Sequence, residues 1–265
     1  MNAPIPVVQL EDLQTIVNMI PEISKEIGDG SRYIPVLTTD HKRQLIIVRD
    51  GKPVTSYGLK NAEDNESNTG LESIEKFLEK FDGNKHLVML YDDPILARLV
   101  EFRYAKKGLK NGELCMYVIP EDDVETPEKI KAQMQAFGID VKRYESDNSL
   151  TFVSIADPGK SPGGFKAGCQ KTLDSLVSQC WKPVRMILHV RYLFNTRVEI
   201  ESHAEFENVI ESSFAKFPGS MLCNHYVGKN TKESHAGWTR KMLETHDNVF
   251  VVSSTGGIPF ITESL

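Results

Sequence analysis

The stretch from His86 to Pro120 constrains this chain more than any other. It reads as an apolar strand (HLVMLY), a short acidic turn (DDP), a helix (ILARLVEFRYAKKG) and a second strand (ELCMYVIP). That is the β–α–β unit that opens a nucleotide-binding sheet. The glycine-rich cradle such a unit carries in its turn is missing. A phosphate loop needs G-x-x-x-x-G-K-[ST], so that backbone N–H groups and a lysine surround the phosphates. Here the turn reads Tyr91-Asp92-Asp93-Pro94, with no glycine, no lysine and two carboxylates that would repel a triphosphate. Asp93 has the chemistry of an N-cap and Pro94 that of a first helical residue. The helix start is therefore expected to hold its own anion.

The same alternation continues. LCMYVI is apolar on both faces, as a central parallel strand covered by helices requires. Gly108 is read as the left-handed residue closing the first helix. Thr126-Pro127-Glu128 opens a second helix, and Gly138 closes it. Strands are expected near 141–144 and 150–155. The loop DPGKSPGG leads into a helix with Phe165, Cys169, Leu173 and Leu176 at core spacing. VRMILHVRYL is the next strand. Ser202 and Glu205 form a capping box for a helix bearing Phe206, Val209, Ile210 and Phe214. SMLCNHYV, a helix over 231–246 and VFVVSS complete the pattern. Strands alternating with helices imply a mainly parallel sheet with right-handed crossovers.

The first part of the chain reads differently. Leu13, Ile16, Val17 and Ile20 recur at helical spacing before Pro21. QLIIVRD and KPVTSYGL flank Asp50-Gly51, a hairpin signal because both central residues of a type I′ turn need positive φ. The polar run NAEDNESNTG follows as a loop or linker, and LESIEKFLEKF as a short helix. The expected organisation is an N-terminal α+β extension over 1–75 and an α/β domain over 76–265.

Composition excludes some function classes. A net charge of −6 and a pI near 5.7 give no general attraction to nucleic acid or anionic lipid. No apolar run reaches the length of a membrane span. MNAPIPVVQLEDLQ lacks the charged and apolar regions of a signal peptide. Cys115, Cys169, Cys180 and Cys223 form no C-x-x-C pair, and reduced thiols in a cytoplasmic protein are expected.

Taken together, residues 83–255 resemble a MEDS domain, the sensory domain of methanogen and methylotroph regulators. The resemblance rests on His86 with LVMLYDDP, on GLKNGELCMYVIPED, on the Phe206-Glu207 pair opening FENVIESSFAKFPGS, and on MLCNHY. It implies a degenerate KaiC-type, RecA-like three-layer sandwich without ATPase activity. It also implies sensing of a small molecule, such as a simple hydrocarbon derivative, with output through another module. This chain departs from the family pattern in two places. The first 60–80 residues match nothing in it, and His225-Tyr226 stands where an aromatic and an acid are more usual.

The expected function is accordingly a non-catalytic sensory or ligand-binding domain in cytoplasmic signal transduction or transcriptional regulation. A small-molecule effector would bind at the carboxyl edge of the sheet, and a protein partner or self-association would read the change. No cofactor, membrane contact or direct nucleic-acid contact is expected. The candidate ligand-binding residues are Tyr91, Asp92, Glu121, His189, Arg191 and Glu207. Tyr91, Asp92 and Glu121 would end the first two strands at that edge, where open α/β sheets bind ligands. His189 and Arg191 share a strand face near the same edge. Two alternatives stand beside this reading. One is a nucleotide-dependent enzyme with a non-standard phosphate site around Gly159-Lys160-Ser161, where DPGKSPGG could also act as a lid. The other is a metal- or redox-responsive regulator using His86, Cys115, Cys223 and His225, whose thiolates and imidazoles suit zinc, iron or copper.

Overall fold

The computed structural model describes residues 7–8, 32–37, 43–49, 52–59, 78, 84–91, 93–121, 126–190, 197–214, 217–226, 248–253 and 256–261. Two sheets are present. The first has the order β1-β4-β3-β2, from strands Val7–Val8 (β1), Arg32–Leu37 (β2), Arg43–Arg49 (β3) and Lys52–Leu59 (β4). β3 and β4 are antiparallel, with Arg49 opposite Lys52, as the hairpin signal between them implies. The helical pattern over 13–20 and the polar run over 61–70 lie outside the described residues.

The second sheet carries the chain's α/β architecture. Its strands are His86–Tyr91 (β5), Leu114–Pro120 (β6), Leu150–Ile155 (β7), Val184–Val190 (β8), Gly219–Tyr226 (β9), Asn248–Ser253 (β10) and Gly256–Ile261 (β11). The order is β11-β10-β5-β9-β8-β6-β7. β5 to β10 are all parallel, and β11 pairs antiparallel with β10 at the edge. The helices are Pro94–Lys110 (α1), Pro127–Ala136 (α2), Val141–Ser146 (α3), Gly164–Ser178 (α4) and Arg197–Phe214 (α5).

Strand β6 shows why the sheet is covered on both sides. Cys115, Tyr117 and Ile119 pack into one core with Leu99 and Phe102 of α1 and Met134 of α2. The intervening Leu114, Met116 and Val118 pack into a second core with Leu173 of α4 and Val209 of α5. Period-two alternation thus sends a continuous apolar run into two separate cores. The result is a three-layer α/β sandwich with a mainly parallel central sheet, as expected from the sequence. Each fully buried aliphatic or aromatic side chain in these cores contributes about 1.5–3 kcal/mol.

Four local expectations need correction. Gly108 does not close α1, which runs on to Lys110; Gly112, at φ +77°, takes the left-handed position instead. Gly108 is required for a different reason. A Cβ there would lie 2.4 Å from Cδ of Arg185, whose side chain crosses the helix at that point. Residues 141–144 are helical rather than extended. Asp140 caps that turn by accepting from the Arg143 N–H, and Val141 is its one buried residue. The capping-box pair Ser202 and Glu205 lies inside α5, which begins five residues earlier, at Arg197. Finally, β11 was not anticipated. Its only sequence signal is Thr255-Gly256-Gly257 after an apolar strand.

Gly219 makes the tightest backbone approach in the sheet. It pairs with Val184, and a Cβ on it would lie 2.0 Å from the Val184 carbonyl oxygen. Gly219→Ala should therefore push β8 and β9 apart. The expected cost is about 1–3 kcal/mol, read as a lower urea midpoint at unchanged m-value.

Candidate functional site

The site begins at the start of α1. Asp93 accepts from the N–H groups of Ile95 and Leu96, at 2.9 and 3.1 Å, and is itself buried. The anion position at this helix N-terminus is thus filled by the protein's own carboxylate. A similar thing happens in the DPGKSPGG loop. Pro158–Lys160 is a single 3-10 turn in which Asp157 accepts from the Gly159 N–H at 2.8 Å. This loop packs against α4 beside a cleft of about 340 Å³ whose lining includes Ile155, Lys160, Lys171 and Gln179.

One turn into α1, a polar cluster is buried against the sheet. Arg98 donates to Glu101 at 2.6 Å and also to the Tyr117 hydroxyl. The Tyr117 hydroxyl in turn donates to Glu101. His189 Nε2 lies 3.2 Å from Glu101 and 3.0 Å from the Tyr117 oxygen, and Asn224 donates to the second Glu101 oxygen at 2.7 Å. Every member is buried. A charge held this deep must be paired and hydrogen-bonded. Glu101 meets that condition through partners from α1, β6, β8 and β9. The cation that could greet a phosphate above α1, Arg98, is consumed by it.

A second cluster lies on the opposite face. The alternation along β9 puts Asn224 on the α1 side and Cys223 and His225 on the α5 side. His86, at the start of β5, reaches the same place. Its Nε2 is 3.2 Å from Cys223 Sγ and 3.2 Å from Glu207 Oε2, and its Nδ1 is 3.0 Å from Glu211. His225 Nε2 lies 2.7 Å from the other oxygen of Glu207. Phe214 stacks on the His86 ring at 5.6 Å. Glu207, Glu211 and Phe214 recur along one side of α5 at spacings of four and three, so one helix face supplies all three.

Electrostatics differ among these groups. Burial pushes the Cys223 thiol up to about 12, with Glu207 adding to the effect. Burial works against a charged His86 ring, but Cys223, Glu207 and Glu211 outweigh it and hold its pKa well above the usual value. Cys115 is also pushed up to about 12 by burial. Its thiol donates to the Ala105 carbonyl at 3.2 Å.

The sequence-derived candidates therefore divide. His189 joins the Arg98–Glu101 cluster, whereas Glu207 joins the His86–Cys223 cluster across the sheet. Tyr91 ends β5, buried and tilted against Tyr226 with ring centroids 5.5 Å apart. Glu121 is exposed just beyond β6, its N–H donating to the Ile155 carbonyl at 2.9 Å. Asp92 and Arg191 lie outside the described residues. Of the four metal candidates, His86, Cys223 and His225 come together, and Cys115 belongs to the other face. Sequence reasoning missed Arg98, Glu101, Tyr117 and Asn224. A signal was present: Arg98 and Glu101 lie at i, i+3 among the apolar residues of α1, where an exposed charge has no place.

This arrangement defines an α/β protein with a mainly parallel sheet, in which the start of the first helix is self-capped and the polar groups beneath it are buried in ion pairs. A scan against known protein families matches residues 85–247 to MEDS, described as "MEthanogen/methylotroph, DcmR Sensory domain". The chain belongs to this family of sensory domains. Among solved structures, it is similar to a KaiC-like protein from the hyperthermophilic archaeon Pyrococcus horikoshii OT3. The identity is 10% and the TM-score 0.45, over 67% of this chain and 89% of that one. A search of curated proteins finds no match. Among the described residues, no helix is long and apolar enough to cross a membrane.

Two outcomes follow from the geometry. Glu101→Ala strands Arg98 in a dry interior and should cost about 3–5 kcal/mol, measured by chemical denaturation. The thiols should separate by access. Iodoacetamide at neutral pH should modify half-buried Cys180 before buried Cys115, Cys169 and Cys223, with all four reacting once the chain is unfolded. Peptide mass spectrometry reads the order.

Proposed function

We propose that this chain is a non-catalytic sensory module of signal transduction or transcriptional control, which takes up a small molecule at the carboxyl edge of its parallel sheet. The observation that carries this reading is the Asp93 carboxylate seated on the Ile95 and Leu96 N–H groups, where a nucleotide-binding relative would place phosphate. Arg98 is likewise tied to Glu101, so neither the start of α1 nor the cation beneath it is open to phosphate. Instead the edge offers aromatic surface: Tyr226, 41% exposed, beside Tyr91. An aromatic rim with a few polar groups suits a small, largely uncharged ligand. Such a ligand favours whichever arrangement of the edge it contacts better, and a partner or second copy reads the shift. The network from Asn224 and His189 to Glu101 and Arg98 joins two strand ends at that edge to α1.

Calorimetry with ATP and ADP in the presence of magnesium is the direct test. Neither should bind more tightly than about 1 mM, and no phosphate should be released. In parallel, a panel of short-chain alcohols, diols and carboxylic acids should contain compounds that raise Tm in the native chain but not in Tyr226→Ala. Sustained ATP turnover would overturn the non-catalytic reading. A stabilising compound that acts equally on Tyr226→Ala would move the site away from this edge.

A further inference from the structure

We propose that His86, Cys223 and Glu207 form a buried three-ligand site for a divalent transition metal of the zinc class. Their donor atoms all lie within 4.8 Å of one another. Zinc bonds to sulfur, imidazole nitrogen and carboxylate oxygen are about 2.0–2.3 Å long, so neighbouring donors of a tetrahedral site lie about 3.4–3.6 Å apart. His86 Nε2 is 3.2 Å from both Cys223 Sγ and Glu207 Oε2. These two edges are within a few tenths of an ångström of a metal-centred geometry, and the third, from Sγ to the carboxylate, is within 4.8 Å.

The surroundings of the three donors are those of a metal site. With Nδ1–H donating to Glu211, the His86 ring, once neutral, presents its Nε2 lone pair to the other donors. Glu211 is 54% exposed in its side chain, so it supports the ring from the solvent side. Glu207 is held by His225 through one oxygen, leaving the other directed at His86. Each ligand nitrogen or carboxylate therefore has an outer partner that fixes its orientation. Phe214, stacked on His86, closes the site with an apolar wall.

Charge balance favours a dication. Binding displaces two protons to solvent, one from the Cys223 thiol and one from Nε2 of the charged His86 ring, so that a metal–sulfur bond forms and His86 binds as neutral imidazole. One thiolate and one carboxylate then neutralise a charge of two in a dry interior. A thiolate with an imidazole and a single carboxylate selects zinc and its neighbours over magnesium or calcium, which prefer all-oxygen sites. Three protein ligands leave a fourth position for water or a small donor ligand. The assignment does not depend on a ligand at the carboxyl edge, because the two places lie on different parts of the sheet.

The full chain, purified without chelator, should retain close to one metal ion per molecule by elemental analysis. Chelator-stripped protein should take up zinc with an affinity tighter than about 1 µM, and cobalt should give a near-ultraviolet thiolate-to-cobalt charge-transfer band. Cys223→Ser should abolish that band, and Cys115→Ser should leave it intact. His225→Gln, altering a positioning residue, should weaken zinc binding by about 10–100-fold with the band preserved. Should Cys223→Ser not fold, the native chain decides. One equivalent of zinc should raise the Tm of stripped protein, and EDTA should reverse the rise. No uptake of zinc or cobalt, no shift in Tm, or a cobalt band that survives Cys223→Ser would overturn the assignment and leave the cluster a hydrogen-bonded one.

Discussion

The carboxylate of Glu101 sits under the second turn of α1, shut off from water, and the centre of the sheet is arranged to keep it paired. Arg98 supplies the opposite charge from the same helix, Tyr117 a hydroxyl from β6, His189 a ring from β8 and Asn224 an amide from β9. A group in this position forces its partners into a fixed relation, since any strand that slips by one residue turns its polar contribution to the other face. The network thus specifies the register of three neighbouring strands against one helix. The apolar cores on either side supply most of the stabilisation, but they would tolerate more than one alignment. The polar cluster narrows the choice.

The start of the first helix is closed in the same internal way. In a phosphate-binding relative, the helix after the first strand begins with free N–H groups and a cation aimed at the ligand. Here both are satisfied internally, by Asp93 and by Glu101. The same β–α–β frame is kept, with its helix start closed by side chains in place of a substrate. The family to which the chain belongs is one of sensory domains.

Most of the architecture was legible in the sequence because it follows from short-range rules. Continuous apolar runs gave β5 and β6, N-caps and prolines gave the starts of α1 and α2, and Asp50-Gly51 gave the β3–β4 hairpin. The errors fall where a long-range contact overrides a local sign. Gly108 looks like a helix stop until Arg185 is seen crossing it. Ser202 and Glu205 have the spacing of a capping box, but the helix has already started. Residues 141–144 begin with a β-branched and end with an aromatic residue, as a strand can, yet a single capped turn needs only Val141 inside. The candidate site was half legible. His86, Cys223, His225, Glu207 and His189 were all singled out as polar residues in apolar surroundings. What one-dimensional spacing could not supply was the face each would occupy. Glu207 stood beside His189 among the ligand-binding candidates, but its described neighbours are two histidines on the far side of β9 from His189.

The residues Cys223, Asn224 and His225 are consecutive, and they serve opposite faces of one strand. This makes β9 a party wall between two polar chambers. Side chains anchored on either side share a single stretch of backbone, so a tug on Asn224 from α1 is borne by the same peptide units that hold the thiol of Cys223 and the ring of His225. The helices α1 and α5, on opposite faces of the sheet, are thereby tied to a common strand. Whatever moves one of them along the strand direction must drag the other's anchorage with it.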